Sequence, residues 1–204
     1  MTGVQTCALP ICVATLRAAR QSPDARVAAL PAPRVAMILG GPSAHHAFDA
    51  KDIAALAHIA ADIAASGRSV MVTPSRRTPP ELVEAIRLAL AGVGPAAFVW
   101  DGTGDNPYAQ ILAHAHAILV TADSANMMSE ALATGVPVHA YEPSGGHPKM
   151  SAFLQRLVDE GFVRRWAGQL ETWDYPPVDA TREIAATAAR RFRTFQGRDG
   201  RIIS

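Results

Sequence analysis

Residues 117–140 restrict the architecture of this chain more than any other stretch. An apolar run, Ala117-Ile-Leu-Val120, stops at the polar turn Thr121-Ala-Asp-Ser124. There Asp123 and Ser124 can cap a helix by accepting its first free amide hydrogens. Ala125, Met128 and Leu132 recur on one face at helical spacing, while Asn126, Met127, Glu130 and Thr134 fall on the other and are expected to look outward. Gly135 suits the left-handed residue that closes a helix, and Val136-Pro-Val-His-Ala140 reads as the next buried strand. Strand, helix and strand in this order make one turn of a βαβ winding.

The alternation extends across the chain. Short apolar runs at residues 34–39, 69–73 and 97–100 read as strands covered on both faces. Between them lie helical stripes: one opened by Asp49 or Asp52 and ended at Gly67, and one started by Pro79-Pro80 with Leu82, Val83, Ile86 and Leu90 inward. A helix over residues 150–160 and an edge strand at Phe162-Val-Arg164 follow. The expected fold is α/β, a Rossmann-like doubly wound parallel sheet. Residues 12–33, which end in the proline-bracketed stretch Leu30-Pro-Ala-Pro33, read as the remnant of an N-terminal domain and a linker. Residues 34–178 form the main domain, and residues 179–204 a crossover helix with a basic tail.

In wound sheets ligands sit outside the carboxyl ends of the strands, and four loops on that rim carry polar groups. Gly40-Gly41 with Ser43 can bring amides and a hydroxyl to a phosphate, although a GxGxxG fingerprint is absent and a glycine pair also serves a plain tight turn. Arg76 and Arg77 offer paired donors for a diphosphate or carboxylate, or are loop charges. Asp101 and Asn106 bracket a Gly-rich loop in which Asp105 or Asn106 can cap the next helix. Glu130 lies two turns beyond Asp123 and can accept from paired ribose hydroxyls; the alternative is a capping Asp123 and a solvated Glu130. The adjacent His45 and His46 read as solvated loop residues or anion contacts, and no partner stands at metal-ligand spacing, so no metal is expected.

Composition excludes several classes. A formal net charge of +1 provides no general field for nucleic acid or an anionic membrane. Every long apolar run is interrupted by a charged residue or His before a membrane span is reached. The first eleven residues, through Ile11, lack the basic start of a signal peptide and are broken by Pro10. They look like the in-frame translation of a sequencing-library adapter, so residues 1–11 are expected to be an artefact and the natural protein to begin upstream. Cys7 and Cys12 lie in or beside that junction and carry no redox information.

Four separated strings, GGPS, TPSRRTP, WDGTGDNPY and TADSANMMSEALATGVPVHAYEP, resemble in order the mitochondrial fission protein family named for elongated mitochondria, in its bacterial branch. That family is similar to glycosyltransferases of the GT-B type, in which two Rossmann-like domains face a cleft. The resemblance implies that this chain is the C-terminal, nucleotide-sugar-binding half of a metal-independent glycosyltransferase. Gly40, Gly41 and Ser43 would meet phosphate, Glu130 the ribose, and Arg76 and Arg77 the leaving diphosphate. It implies no cofactor beyond a nucleotide diphosphate sugar as substrate. Its implied partners are that sugar and the missing N-terminal domain, in the cytoplasm. A fission or recruitment scaffold that kept the fold, and a nucleotide-diphosphate-sugar epimerase, are the alternative readings. The general base is not identified, and the fragment alone is expected to be inactive.

Overall fold

The computed structural model describes residues 11–178. Six parallel strands form one sheet: β1 (Arg34–Leu39), β2 (Ser69–Pro74), β3 (Ala97–Val99), β4 (Ala117–Thr121), β5 (Val138–Tyr141) and β6 (Val163–Arg165), in the order β3-β2-β1-β4-β5-β6. The chain winds outward from β1 to β3, then returns across β1 to build the other half. Met37 of β1 thus lies between Val72 of β2 and Leu119 of β4. This is the strand order of a Rossmann-like fold, with its topological switch point between β1 and β4.

Side-chain alternation decides which helices cover which face. Val35, Met37 and Leu39 point into one core with Leu56, Ile59 and Ile63 of α3 (Ala50–Ala65) and Leu82, Ile86 and Leu90 of α4 (Pro80–Leu90). Ala36 and Ile38 point into the opposite core. There α1 (Val13–Gln21), α5 (Tyr108–His114), α6 (Ala125–Leu132) and α7 (Pro148–Asp159) contribute Leu16, Ile111, Leu112, Met128, Leu132 and Leu154. Burial on both faces explains why the strands read as continuous apolar runs rather than as alternating ones.

Several local expectations change. Within residues 12–33, α1 packs on α5, and Asp24 caps a four-residue helix that the sequence reading lacked, α2 (Ala25–Ala28), whose Val27 is buried in the same core as Leu30. A single turn of helix has no periodicity to reveal it. On α6, Ala125 is exposed and Met127 is half-buried against the core, and just past its end Thr134 is buried with its hydroxyl donating to the Ala131 carbonyl. His46 is also buried rather than solvated. The helix expected after Asp179 and the arginines beyond it lie outside the described residues.

The irregular stretch after β6 packs across the sheet edge. Trp166 and Trp173 lie edge-on to His139, whose ring is wholly buried and accepts the Glu171 amide hydrogen at Nε2. Burial lowers the His139 pKa below its ordinary value. Further on, Tyr175 donates to the Val136 carbonyl. No helix among the described residues is long and apolar enough to cross a membrane.

Candidate functional site

Loops after β1, β2 and β4 meet at the switch point through hydrogen bonds that join residues far apart in sequence. Asp123 is the centre of this knot. Its side chain is fully buried, and its carboxylate accepts the Gly41 amide at 3.2 Å, the Thr121 hydroxyl at 2.7 Å and the Arg77 guanidinium at 2.9 Å. Thr121 in turn accepts the Gly40 amide at 2.7 Å. Arg77 also donates to the carbonyls of Gly41 and Pro42, and the Thr78 hydroxyl donates to Leu39 and Gly40.

Close approach is the reason for both glycines. A Cβ on Gly40 would overlap the Asp123 carboxylate, and one on Gly41 would overlap the backbone carbonyl of Arg77. In this arrangement the amides of Gly40 and Gly41 serve protein acceptors, and Arg77 holds Asp123. Ser43, the third member of the expected phosphate turn, is oriented away. Its hydroxyl accepts the amides of His45 and His46 and lies 3.3 Å from Nδ1 of His46.

The remaining expected residues fall to either side of the knot. Toward the α4 side, Arg76 and Asp101 border a cavity of about 540 Å³ that also includes Trp100, Glu84 and Arg87. Asp101 accepts the amide and hydroxyl of Thr103, and these bonds hold its pKa below the usual carboxylate range. On the other side, Asn106 accepts the Tyr108 amide at the start of α5, and the Tyr108 hydroxyl donates to Glu130 at 2.7 Å. Ser124 caps α6 by accepting the Met127 amide, so the cap belongs to Ser124 and not to Asp123.

Sequence reasoning did not find Thr121, Tyr108 or Trp100 as members of the rim. The only signal for the first was its place at the carboxyl end of a strand. Asp52 was also missed in this role: buried in the first turn of α3, it accepts the Tyr141 hydroxyl and the Ser144 amide, each at 2.9 Å, and ties the loop after β5 to the rim. Among the described residues no group of three or more His, Cys, Asp and Glu is placed to hold a metal ion.

Glu130 has a shifted titration. Burial raises its carboxyl pKa above the ordinary 4.5, partly opposed by the Tyr108 hydrogen bond. Burial and the neighbouring carboxylate push the Tyr108 hydroxyl upward too, so it remains a donor. A carboxyl whose folded pKa is raised contributes stability fully below the unfolded pKa and loses it as pH rises through the folded pKa. Glu130→Gln is therefore expected to gain thermal stability relative to the parent chain as pH rises from 4.5 toward neutrality. Melting temperatures of both proteins across that range would show it, and a constant difference would rule the carboxyl out.

A two-faced parallel sheet with its polar loops gathered at the switch point defines a Rossmann-like α/β protein with a candidate ligand site on its carboxyl rim. The chain belongs to the mitochondrial fission ELM1 family, whose model matches residues 4–192. It is 35% identical over 181 residues to the mitochondrial fission protein ELM1 of Arabidopsis thaliana, covering 87% of this chain and 42% of that protein. An uncharacterized protein of Rickettsia prowazekii (strain Madrid E) is 30% identical over 160 residues, covering 74% of this chain and 44% of the relative. The chain thus spans less than half the length of these two curated relatives.

Among solved structures, the molybdenum cofactor carrier protein of Chlamydomonas reinhardtii aligns with 15% identity and a TM-score of 0.44, over 76% of this chain and 97% of that one. Os79 of O. sativa, solved with UDP and deoxynivalenol-3-glucoside, aligns with 17% identity and a TM-score of 0.45, over 72% of this chain and 32% of that one. Likeness at this level does not bear on what the chain binds.

Proposed function

We propose that this chain is the nucleotide-diphosphate-sugar-binding half of a two-domain, GT-B-type protein, acting with an N-terminal domain in the cytoplasm. The observation that carries this reading is the union of the loops after β1, β2 and β4 at the switch point, where wound sheets receive ligands. Glu130 supports it. With Oε2 taken by Tyr108, its other carboxylate oxygen has no protein donor among the described residues and suits a ribose hydroxyl. Diphosphate oxygens would meet the start of α6, whose first amides have no partner within the helix. The matched relatives are more than twice as long as the span they share with this chain, which fits a second domain.

A second reading rests on a specific feature of the knot. Both glycine amides and Arg77 are already bound to protein acceptors, so the groups that would grip a phosphate are spent on holding loops together. That suits a recruitment scaffold in the fission family that retains the fold without chemistry.

Thermal stabilisation by UDP, GDP, ADP and CMP separates the two. Under the first reading one nucleotide raises the melting temperature by several degrees at 100 times its Kd, the stabilisation that mass action gives, and Glu130→Ala removes most of that rise. A flat panel across all four nucleotides favours the scaffold.

A further inference from the structure

The cavity between α4 and the loop after β3 differs from the switch point in its chemistry. At about 540 Å³ it lies in the range of small-molecule sites. Its charged lining consists of Arg76, Arg87, Glu84 and Asp101, two cations and two anions, so it presents no net charge. No side-chain hydrogen bond or ion pair joins Arg76, Arg87 or Glu84 to another described residue, the Arg87 charge acts on Asp101 only from a distance, and all three residues are exposed. Trp100 is half-buried, and its indole N–H donates to the Thr103 carbonyl at 3.0 Å, which fixes the ring plane without using its face.

A di- or triphosphate would find its charge only half matched here, because each arginine is accompanied by a carboxylate. The lining suits a neutral molecule with an apolar face and a polar edge. A sugar ring has that form: its C–H face lies on an indole, while its hydroxyls donate to carboxylates and accept from guanidinium groups. The geometry points to a binding site for an uncharged pyranose, free or within an oligosaccharide, seated on Trp100 between Glu84, Arg87, Arg76 and Asp101. This site does not depend on nucleotide binding near Glu130, and either can exist without the other.

The test is a titration of the ¹⁵N-labelled chain with glucose, N-acetylglucosamine, maltose and cellobiose, following the indole N–H signal of Trp100, assigned through Trp100→Phe. At least one sugar should move this signal saturably. Trp100→Ala and Glu84→Ala should each weaken that response tenfold or more, read for Trp100→Ala on amide signals of residues 101–103. Glu84 is an exposed residue of α4, so its replacement leaves the core intact and a melting curve confirms it. Glu130→Ala should leave the sugar response unchanged while removing most of any nucleotide response. The proposal fails if none of the four sugars moves the Trp100 signal, or if UDP or inorganic phosphate saturates it more tightly than every sugar.

Discussion

Gly41→Ala is expected to lower stability by about 3 kcal/mol, the upper part of the range for forcing a methyl group into a packed site. For a domain of this size that is a fall in melting temperature of roughly 6–12 °C. The added carbon would meet the backbone carbonyl of Arg77, which cannot rotate away as a side chain would. Relief requires the loop after β2 to move as a unit, and that loop is held to Leu39 and Gly40 through Thr78. The same substitution at Gly40 meets the Asp123 carboxylate instead, and shifting it would disturb the bonds from Thr121, Gly41 and Arg77. Denaturant melts of both variants check this. A Gly41→Ala protein as stable as the parent would mean that the β1 and β2 loops do not approach as described.

Asp123→Ala should cost about 3 kcal/mol, the low end for breaking a buried ion pair, because Arg77 is itself 44% exposed and can turn to water. Two effects combine: the Gly41 amide loses its acceptor, and the guanidinium loses its counterion. Asp123→Asn preserves shape and one acceptor oxygen, so it should recover about half of the loss. The Arg77→Ala variant leaves a buried carboxylate with only Gly41 and Thr121 as donors. The double variant should then be less destabilised than the sum of the singles by about 1–3 kcal/mol. Strict additivity in that cycle would separate the two residues and remove the centre of the knot.

What could be read from the chain was whatever repeats locally. The six strands, the cap at Ser124, the left-handed Gly135 and the proline start of α4 each follow from periodicity or one residue's conformational preference. The partners in the site could not be read this way. Arg77 and Asp123 are 46 positions apart, and Asp52 and Ser144 are 92 apart, so only the winding of the sheet brings them together. Neighbouring residues were also separated without warning. Arg76 and Arg77 formed one cationic pair on paper, but one borders the cavity at Trp100 and the other is bound to Asp123. Asp123 and Glu130 share a helical phase, yet Asp123 lies before the first turn and points into the knot, whereas Glu130 turns to Tyr108. The burial of His46 depends on its bridge to Gly145, a contact no local pattern announces.

The return of the chain across β1 has a consequence for biosynthesis. Val35 finds its neighbour Ala117 only after about 80 further residues have been made, a wait of about 4–16 s at ordinary translation rates. During that interval a nascent polypeptide holding β1, β2 and β3 carries an uncovered apolar border, and an uncovered strand border invites pairing with another copy. Ribosomes spaced closely on one message would bring such borders side by side, so slower initiation should improve the yield of native protein more than slower elongation.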